Sequence, residues 1–347
     1  PARARARASL RWRDRRSDRH RYRRPVFQAG YRVLRGKKRV LVTGAGGFVG
    51  GHLVPALRAE GHQVVGSALG AGEADVVMDV RDAEMVDSVI AEVRPEACFH
   101  LAGQSSVSLS WKEPALTYEV NAHGTHYLLD AIYRHVPGCR VHVAASSDEY
   151  GKVQPEECPI DESAPLRPVS PYAVSRVAGE WIARMFHESF GLHVVVTRAF
   201  MHIGPGQPDS FATADWAHQI ARVEAGLAEP VVRVGNLDIQ REFGDVRDVV
   251  NAYMTVLEVG EPGDAYNVAT GEPHALRDVL ELLIEMSPSD IGVEVDPAKL
   301  RPVDFPVLYG SAARLERASG WKPEHRLEDT LATVLEYWRA RVTAGDG

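Results

Sequence analysis

Arg39-Val40-Leu41-Val42-Thr43-Gly44-Ala45-Gly46-Gly47-Phe48-Val49-Gly50 decides the fold. An apolar run at 39–43 passes through a glycine turn straight into a helix-period segment. Gly44, Gly47 and Gly50 have GxxGxxG spacing; read as GxGxxG, the third position would be Val49 and would fail. Either spacing serves the same physics. Residues without a Cβ allow a tight turn and close backbone approach, and a pyrophosphate can then sit on the outward-pointing amides of the helix N-terminus. A glycine turn alone says little. One that follows the first strand of a strand–helix series points to a dinucleotide.

Outward from that turn the chain alternates. Apolar, β-branched runs recur at 63–67, 76–80, 97–102, 140–145 and 193–197, between helix-period segments at 50–60, 83–93, 114–135 and 171–190. Near-continuous apolar strands alternating with helices predict an α/β fold: a Rossmann-type, doubly wound parallel sheet over 39–203. Past about residue 204, Pro and Gly clusters separate isolated helices at 212–228, 245–258, 276–286 and 327–341. A smaller α+β substrate-binding lobe is expected from 204–244 and 271–347. The chain returns to the main sheet around 245–270, through a strand at 264–269.

Composition sets the outer limits. Of 347 residues, 45% are hydrophobic and 25% charged, which excludes a mostly disordered or collagen-like chain. No uninterrupted apolar run approaches the roughly 18 residues of a membrane span. Cys98, Cys139 and Cys158 are odd in number and form no CxxC, so neither a disulfide framework nor a metal site is expected, and a cytoplasmic setting is. Residues 1–38 carry +13, which leaves −20 on the rest of a chain of net charge −7. So acidic a body is a poor nucleic-acid binder. The Arg-rich segment 1–38 is expected to be disordered, as a polyanion- or membrane-surface arm, a transit peptide, or a solvated extension without a role.

Three further places carry chemistry. The end of the second strand, Val64-Val65-Gly66-Ser67-Ala68-Leu69, has neither the acid that marks NAD nor the Arg that marks NADP, so the choice stays open. Asp79-Val80, at the end of the third, is placed to meet the adenine, and Asp79 also suits the N-cap of the next helix. In Ser170-Pro171-Tyr172-Ala173-Val174-Ser175-Arg176, Ser170 suits an N-cap and Pro171 the first helical position. Tyr172 and Arg176 then lie one turn apart on one face, where a cation favours the phenolate and makes the phenol a usable proton donor–acceptor. Ala145-Ser146-Ser147-Asp148-Glu149-Tyr150-Gly151, at the carboxyl end of the fifth strand, is either a ligand-facing polar loop or a capped turn.

Together, Thr43-Gly-x-x-Gly-Phe-x-Gly50, His100-Leu101-Ala102, Asn121-x-x-Gly124-Thr125 and Ser146 with Tyr172-x-x-x-Arg176 resemble the extended short-chain dehydrogenase/reductases. The segments 198–207, 233–238, 241–248 and 296–304 are most similar to the GDP-4-keto-6-deoxy-D-mannose reductase branch, and next to the GDP-mannose 4,6-dehydratases. The resemblance implies an NADP or NAD cofactor, a GDP-linked nucleotide sugar, and a homodimer built through the helices around 114–135 and 171–190. It makes Tyr172 the proton donor and Ser146 the hydroxyl that polarises the ketone. It places Gly44, Gly46, Gly47, Phe48, Val49, Gly50, Asp79, Val80, Leu101, Ala102, Tyr172 and Arg176 against the dinucleotide. Gln104, Ser105, Arg241, Arg301 and Asp304 face the nucleotide sugar, the two arginines as its diphosphate clamp.

The departures from that pattern are equally specific. Arg176 stands where the family has Lys, and its longer, planar guanidinium is expected to fit the nicotinamide ribose less well. Met201 stands where relatives carry a diphosphate-binding Asn, Glu242 where Asp is usual, and Gly103 where Ala is common. Asp148 occupies the slot of the dehydratase acid–base Glu, one methylene shorter, which disfavours elimination. The expected reaction is reduction of the C4 ketone of a GDP-4-keto-6-deoxyhexose, with dehydration or loss of catalysis as the rivals.

Overall fold

The computed structural model describes residues 34–72, 74–300 and 305–345; the Arg-rich segment at 1–33 lies outside them, as do Arg301 and Asp304. Six strands of the main sheet come in chain order as β1 (Arg39–Thr43), β2 (Gln63–Ala68), β3 (Val76–Val77), β4 (Ala97–His100), β5 (Arg140–Ser146) and β6 (His193–Ala199). A seventh, Ala265–Val268, is the expected return strand and lies outside β6. The order across the sheet is Ala265–Val268, β6, β5, β4, β1, β2, β3, and every neighbouring pair is parallel. The order in which successive strands are added reverses at β1, which puts the crevice at the carboxyl ends of β1 and β4.

Helices α1 (Phe48–Ala59), α2 (Ala83–Val93), α3 (Val107–Lys112), α4 (Pro114–Tyr118), α5 (Gly124–His135) and α6 (Pro171–Phe190) connect these strands. With Val246–Val259 they cover both faces. Leu53, Leu57, Val250 and Leu257 pack on one side of the sheet, and Ile90, Leu128, Ile132 and Phe186 on the other. Burial of both faces is why the strands carry no polar–apolar alternation.

Two strands of the series β1–β6 are shorter than expected, for local reasons. β3 stops at Val77 because the Asp79 carboxylate accepts the Arg81 amide and turns the chain. β4 stops at His100 because the Thr43 hydroxyl, not a strand carbonyl, accepts the Ala102 amide. The single helix expected over 114–135 is divided by a π turn at Glu119–His123. The short α3, capped by Ser106, and a helix at Ala313–Ser319 have no counterpart in the sequence reading.

Beyond β6 the chain builds small sheets: Val231–Val234 with Gly292–Val295, His202–Ile203 with Gly244–Asp245, and Gln240–Arg241 between His274–Ala275 and Val307–Leu308. Trp216, Ile220, Val232, Leu280, Leu331 and Leu335 form their separate core. Among the described residues no helix is long and apolar enough to cross a membrane.

Candidate active site

After β1, Gly44 turns the chain at φ +70°. A Cβ on Gly44 would stand 2.8 Å from the Ala102 nitrogen, and one on Gly50 2.4 Å from the Gly44 oxygen. Surrounding backbone therefore fixes both glycines. Gly47 differs, since a Cβ there meets only the Gly44 oxygen at 3.3 Å, at an ordinary φ of −80°. It is the N-cap of α1, without a side-chain cap and with no acid in the first turn. The first amides of α1 and the positive end of its dipole thus face out beside exposed Gly46 and Gly47, with Phe48 and Val49 half-buried behind. This cradle fits a dinucleotide pyrophosphate. Gly47→Val is expected to leave the melting temperature nearly unchanged and to abolish NADPH binding measured by calorimetry.

The loop after β4 is tied back to that turn. Thr43 Oγ1 accepts the Ala102 amide at 3.1 Å and lies 2.8 Å from His100 Nδ1, and the Leu101 amide donates to the Thr43 carbonyl. His100 Nε2 is 3.1 Å from Thr125 Oγ1, whose proton goes to the Asn121 carbonyl. That assigns Nε2 as donor and Nδ1 as acceptor. Burial, with Arg176 nearby, pushes His100 down to about 3, so the ring is neutral. Asp79 is not the cap of α2. That place belongs to Asp82, which accepts the Glu84 and Met85 amides. Asp79 instead chelates Arg81, whose hydrogen bonds hold its carboxyl below the usual range. Val80 is buried against Gly124, which leaves its backbone for any adenine contact.

Ser170 caps α6 by accepting the Ala173 amide, Pro171 takes the first turn, and Tyr172 is buried directly after it. The Arg176 guanidinium lies 5.3 Å from the Tyr172 ring centroid, and its Nη1 donates to the Ala144 carbonyl of β5 at 3.0 Å. β5 ends on Ser146, whose Oγ accepts the Asp148 amide at 3.2 Å, so its hydroxyl hydrogen is left to donate. The capped-turn reading of 145–151 is what the backbone shows: Ser146 caps the turn Ser147–Tyr150, at the strand end beside α6. Asp148 is half-buried in the same turn.

Beneath this turn lies a charge cluster that the sequence did not disclose. Arg198 of β6 makes a bidentate pair with Glu180 of α6 at 2.6 and 2.8 Å and donates to the Tyr150 hydroxyl at 3.0 Å. Tyr150 in turn donates to Asn267 at 2.6 Å. Burial, with Glu180 beside it, pushes the Glu149 carboxyl well above its ordinary value, and Glu149 Oε1 accepts the Ser146 amide. Against its own burial, Glu180 is held low by Arg198.

On the substrate side the sequence-predicted residues part company. Ser105 is exposed at the crevice. The Gln104 side chain is spent on its own loop and on α4, donating to Ser106 O and Thr117 Oγ1 and accepting the Ser106 amide. Arg241 is buried, with Nη1 donating to the Gln240 and Phe305 carbonyls, while Arg301 and Asp304 lie outside the described residues. Met201 and Glu242, two of the departures, line one small cavity with Thr270 and Trp321. Glu242 Oε2 accepts from the Thr270 amide and hydroxyl and the Gly271 amide, while burial pushes the carboxyl up to about 8. Its folded value lies above the unfolded 4.5, so its stabilising contribution is complete below that and is lost as pH rises towards 8. Between about pH 5 and 8, stability relative to Glu242→Gln should move by about 2–4 kcal/mol in the variant's favour, read from urea midpoints.

Fold and site together define a nicotinamide-dinucleotide-dependent oxidoreductase of the extended short-chain dehydrogenase/reductase class. The chain belongs to the GDP-mannose 4,6 dehydratase family, whose model matches residues 41–334. It is 37% identical to the GDP-6-deoxy-D-mannose reductase of Pseudomonas aeruginosa, over 88% of this chain and 98% of that one. A GDP-mannose 4,6-dehydratase of Vibrio cholerae is 27% identical over 86% and 93%. Among solved structures, RMD from Pseudomonas aeruginosa complexed with NADPH superposes with a TM-score of 0.80 at 36% identity, covering 88% of this chain and 100% of that one. The Thermus thermophilus UDP-glucose 4-epimerase complexed with NAD follows at 0.77 and 31%, covering 86% and 98%.

Proposed function

We propose that the protein reduces the C4 ketone of a GDP-4-keto-6-deoxyhexose. The observation that carries this is the match to the Pseudomonas aeruginosa reductase along nearly its whole length; Ser146 at the end of β5 and Tyr172 in the first turn of α6 support it. A bound NADPH or NADH supplies the hydride. Gly44, Gly46, Gly47 and the first amides of α1 would hold its pyrophosphate. Ser146 donates its hydroxyl hydrogen to the ketone oxygen, which stabilises charge as it builds there. Tyr172 delivers the proton to that oxygen, and Arg176 supports the resulting phenolate. Arg241, with Arg301 and Asp304, is assigned to the nucleotide diphosphate and ribose.

The exposed side chains of α5 and α6 support a homodimer. Tyr133, Trp181, Met185 and Phe190 are 38–59% exposed on these two helices, with the Tyr133 and Phe190 rings 4.8 Å apart. So contiguous an apolar surface is covered by a second copy in the arrangement we propose. The free cysteines fit a reducing cytoplasm.

The test is direct. Incubated with NADPH, the protein should consume GDP-4-keto-6-deoxymannose and leave GDP-mannose untouched. Conversion of GDP-mannose to the 4-keto sugar would assign it instead as a dehydratase, and indifference to both would remove the catalytic reading.

A further inference from the structure

Two departures from the family pattern, Gly103 and Arg176, are far apart in sequence and touch in the fold. A Cβ built on Gly103 would stand 2.6 Å from Arg176 Nη2 and 3.1 Å from both Cζ and Nη1. The Gly103 backbone has no positive φ, so its conformation does not require glycine. What requires it is the guanidinium. Arg176 Nη1 is bonded to Ala144, its Cζ lies over Tyr172, and its Nε is buried without a hydrogen-bond partner among the described residues. The plane of the group is thus fixed by one carbonyl, one ring and the vacant volume at 103.

We infer that Gly103 is a positioning residue which selects arginine as the cation beside Tyr172, so that positions 103 and 176 act as one unit. The inference rests on the reading of Tyr172 and Arg176 as catalytic partners. A methyl group at 103 would meet the far end of a flexible side chain, which can move away at little cost to the fold. The guanidinium would then leave the Ala144 carbonyl and its station over the phenol. An ammonium carries no such plane and has no need of that volume. Misplacing a catalytic group by roughly 1 Å can cost about a hundredfold in rate, so the effect belongs in turnover rather than in stability.

Four proteins test this: the parent, Gly103→Ala, Arg176→Lys, and the double variant. In the arginine background Gly103→Ala should lower kcat at least about tenfold and weaken NADPH binding measured calorimetrically without sugar, at an unchanged melting temperature. In the lysine background the same alanine should change both by less than about twofold. Equal losses in the two backgrounds, or no loss in either, would overturn the coupling. A Tyr172→Phe control separates this failure from the larger one. If it matches the parent in ketone reduction, the catalytic reading itself falls, whatever the four variants do.

Discussion

Glu180→Ala is expected to destabilise the protein by about 3–5 kcal/mol, the range for removing one partner of a buried ion pair. Glu180 and Arg198 have side chains 0% and 4% exposed and meet through two parallel hydrogen bonds. Surface ion pairs contribute about 0–1 kcal/mol, because water compensates each charge when its partner is lost. No such compensation reaches Arg198. Its remaining neighbours are the Tyr150 hydroxyl and Glu149, whose charged form burial disfavours. Ionising Glu149 to rescue the arginine would recover part of the loss, which places the expected value inside the range and not above it. Glu149→Gln should cost far less, since an amide oxygen can still accept the Ser146 amide. Urea unfolding of the two variants checks the contrast, and equal costs would show that the cluster is not organised around Arg198. The consequence reaches the proposed catalytic serine, because Glu149 and Tyr150 belong to the turn that begins on Ser146.

Much of this framework is legible in the sequence because it is local. The turn at Gly44–Gly50 depends on residues that lack a Cβ, and the start of α6 on Ser170 and Pro171, whose capping roles follow from their own side chains. The return strand at Ala265–Val268 is marked by the turn Glu261-Pro-Gly-Asp264 before it. What stays hidden depends on long-range placement. Asp79 reads as a cap on paper, but its carboxylate closes on the Arg81 guanidinium and the cap falls to Asp82. Nothing in Ser147-Asp148-Glu149-Tyr150 says which carboxylate turns inward, since that is decided by Arg198 arriving on β6. The departures at 103 and 176 can each be read from the sequence as oddities. Their contact cannot, and it changes their meaning. An arginine that looked ill-suited to its place has room made for it, and a glycine that looked incidental makes the room. Met201 and Glu242 repeat the pattern at a second place, as two oddities that share one cavity.

Tyr172→Phe is expected to lower kcat for ketone reduction by about two to four orders of magnitude, the contribution of a positioned proton donor. The substitution removes one oxygen and keeps the ring on which Arg176 rests, so the guanidinium retains its bond to Ala144. NADPH affinity and melting temperature should hardly move. Ser146→Ala makes a less clean probe of the same chemistry. It deletes the hydroxyl proposed to steady the ketone oxygen, worth about 10²–10³ in rate where such donors have been removed, but it also deletes the acceptor for the Asp148 amide. Loss of an N-cap costs about 1 kcal/mol, so part of its effect would come from a loosened turn. The two variants should therefore differ in signature as well as in size. Tyr172→Phe should lower kcat at constant stability and constant cofactor affinity, whereas Ser146→Ala should lower kcat with a measurable fall in the urea midpoint. If Tyr172→Phe retains more than about a tenth of parental turnover, the proton comes from another group. Asp148, half-buried in the adjoining turn, is then the first side chain to replace.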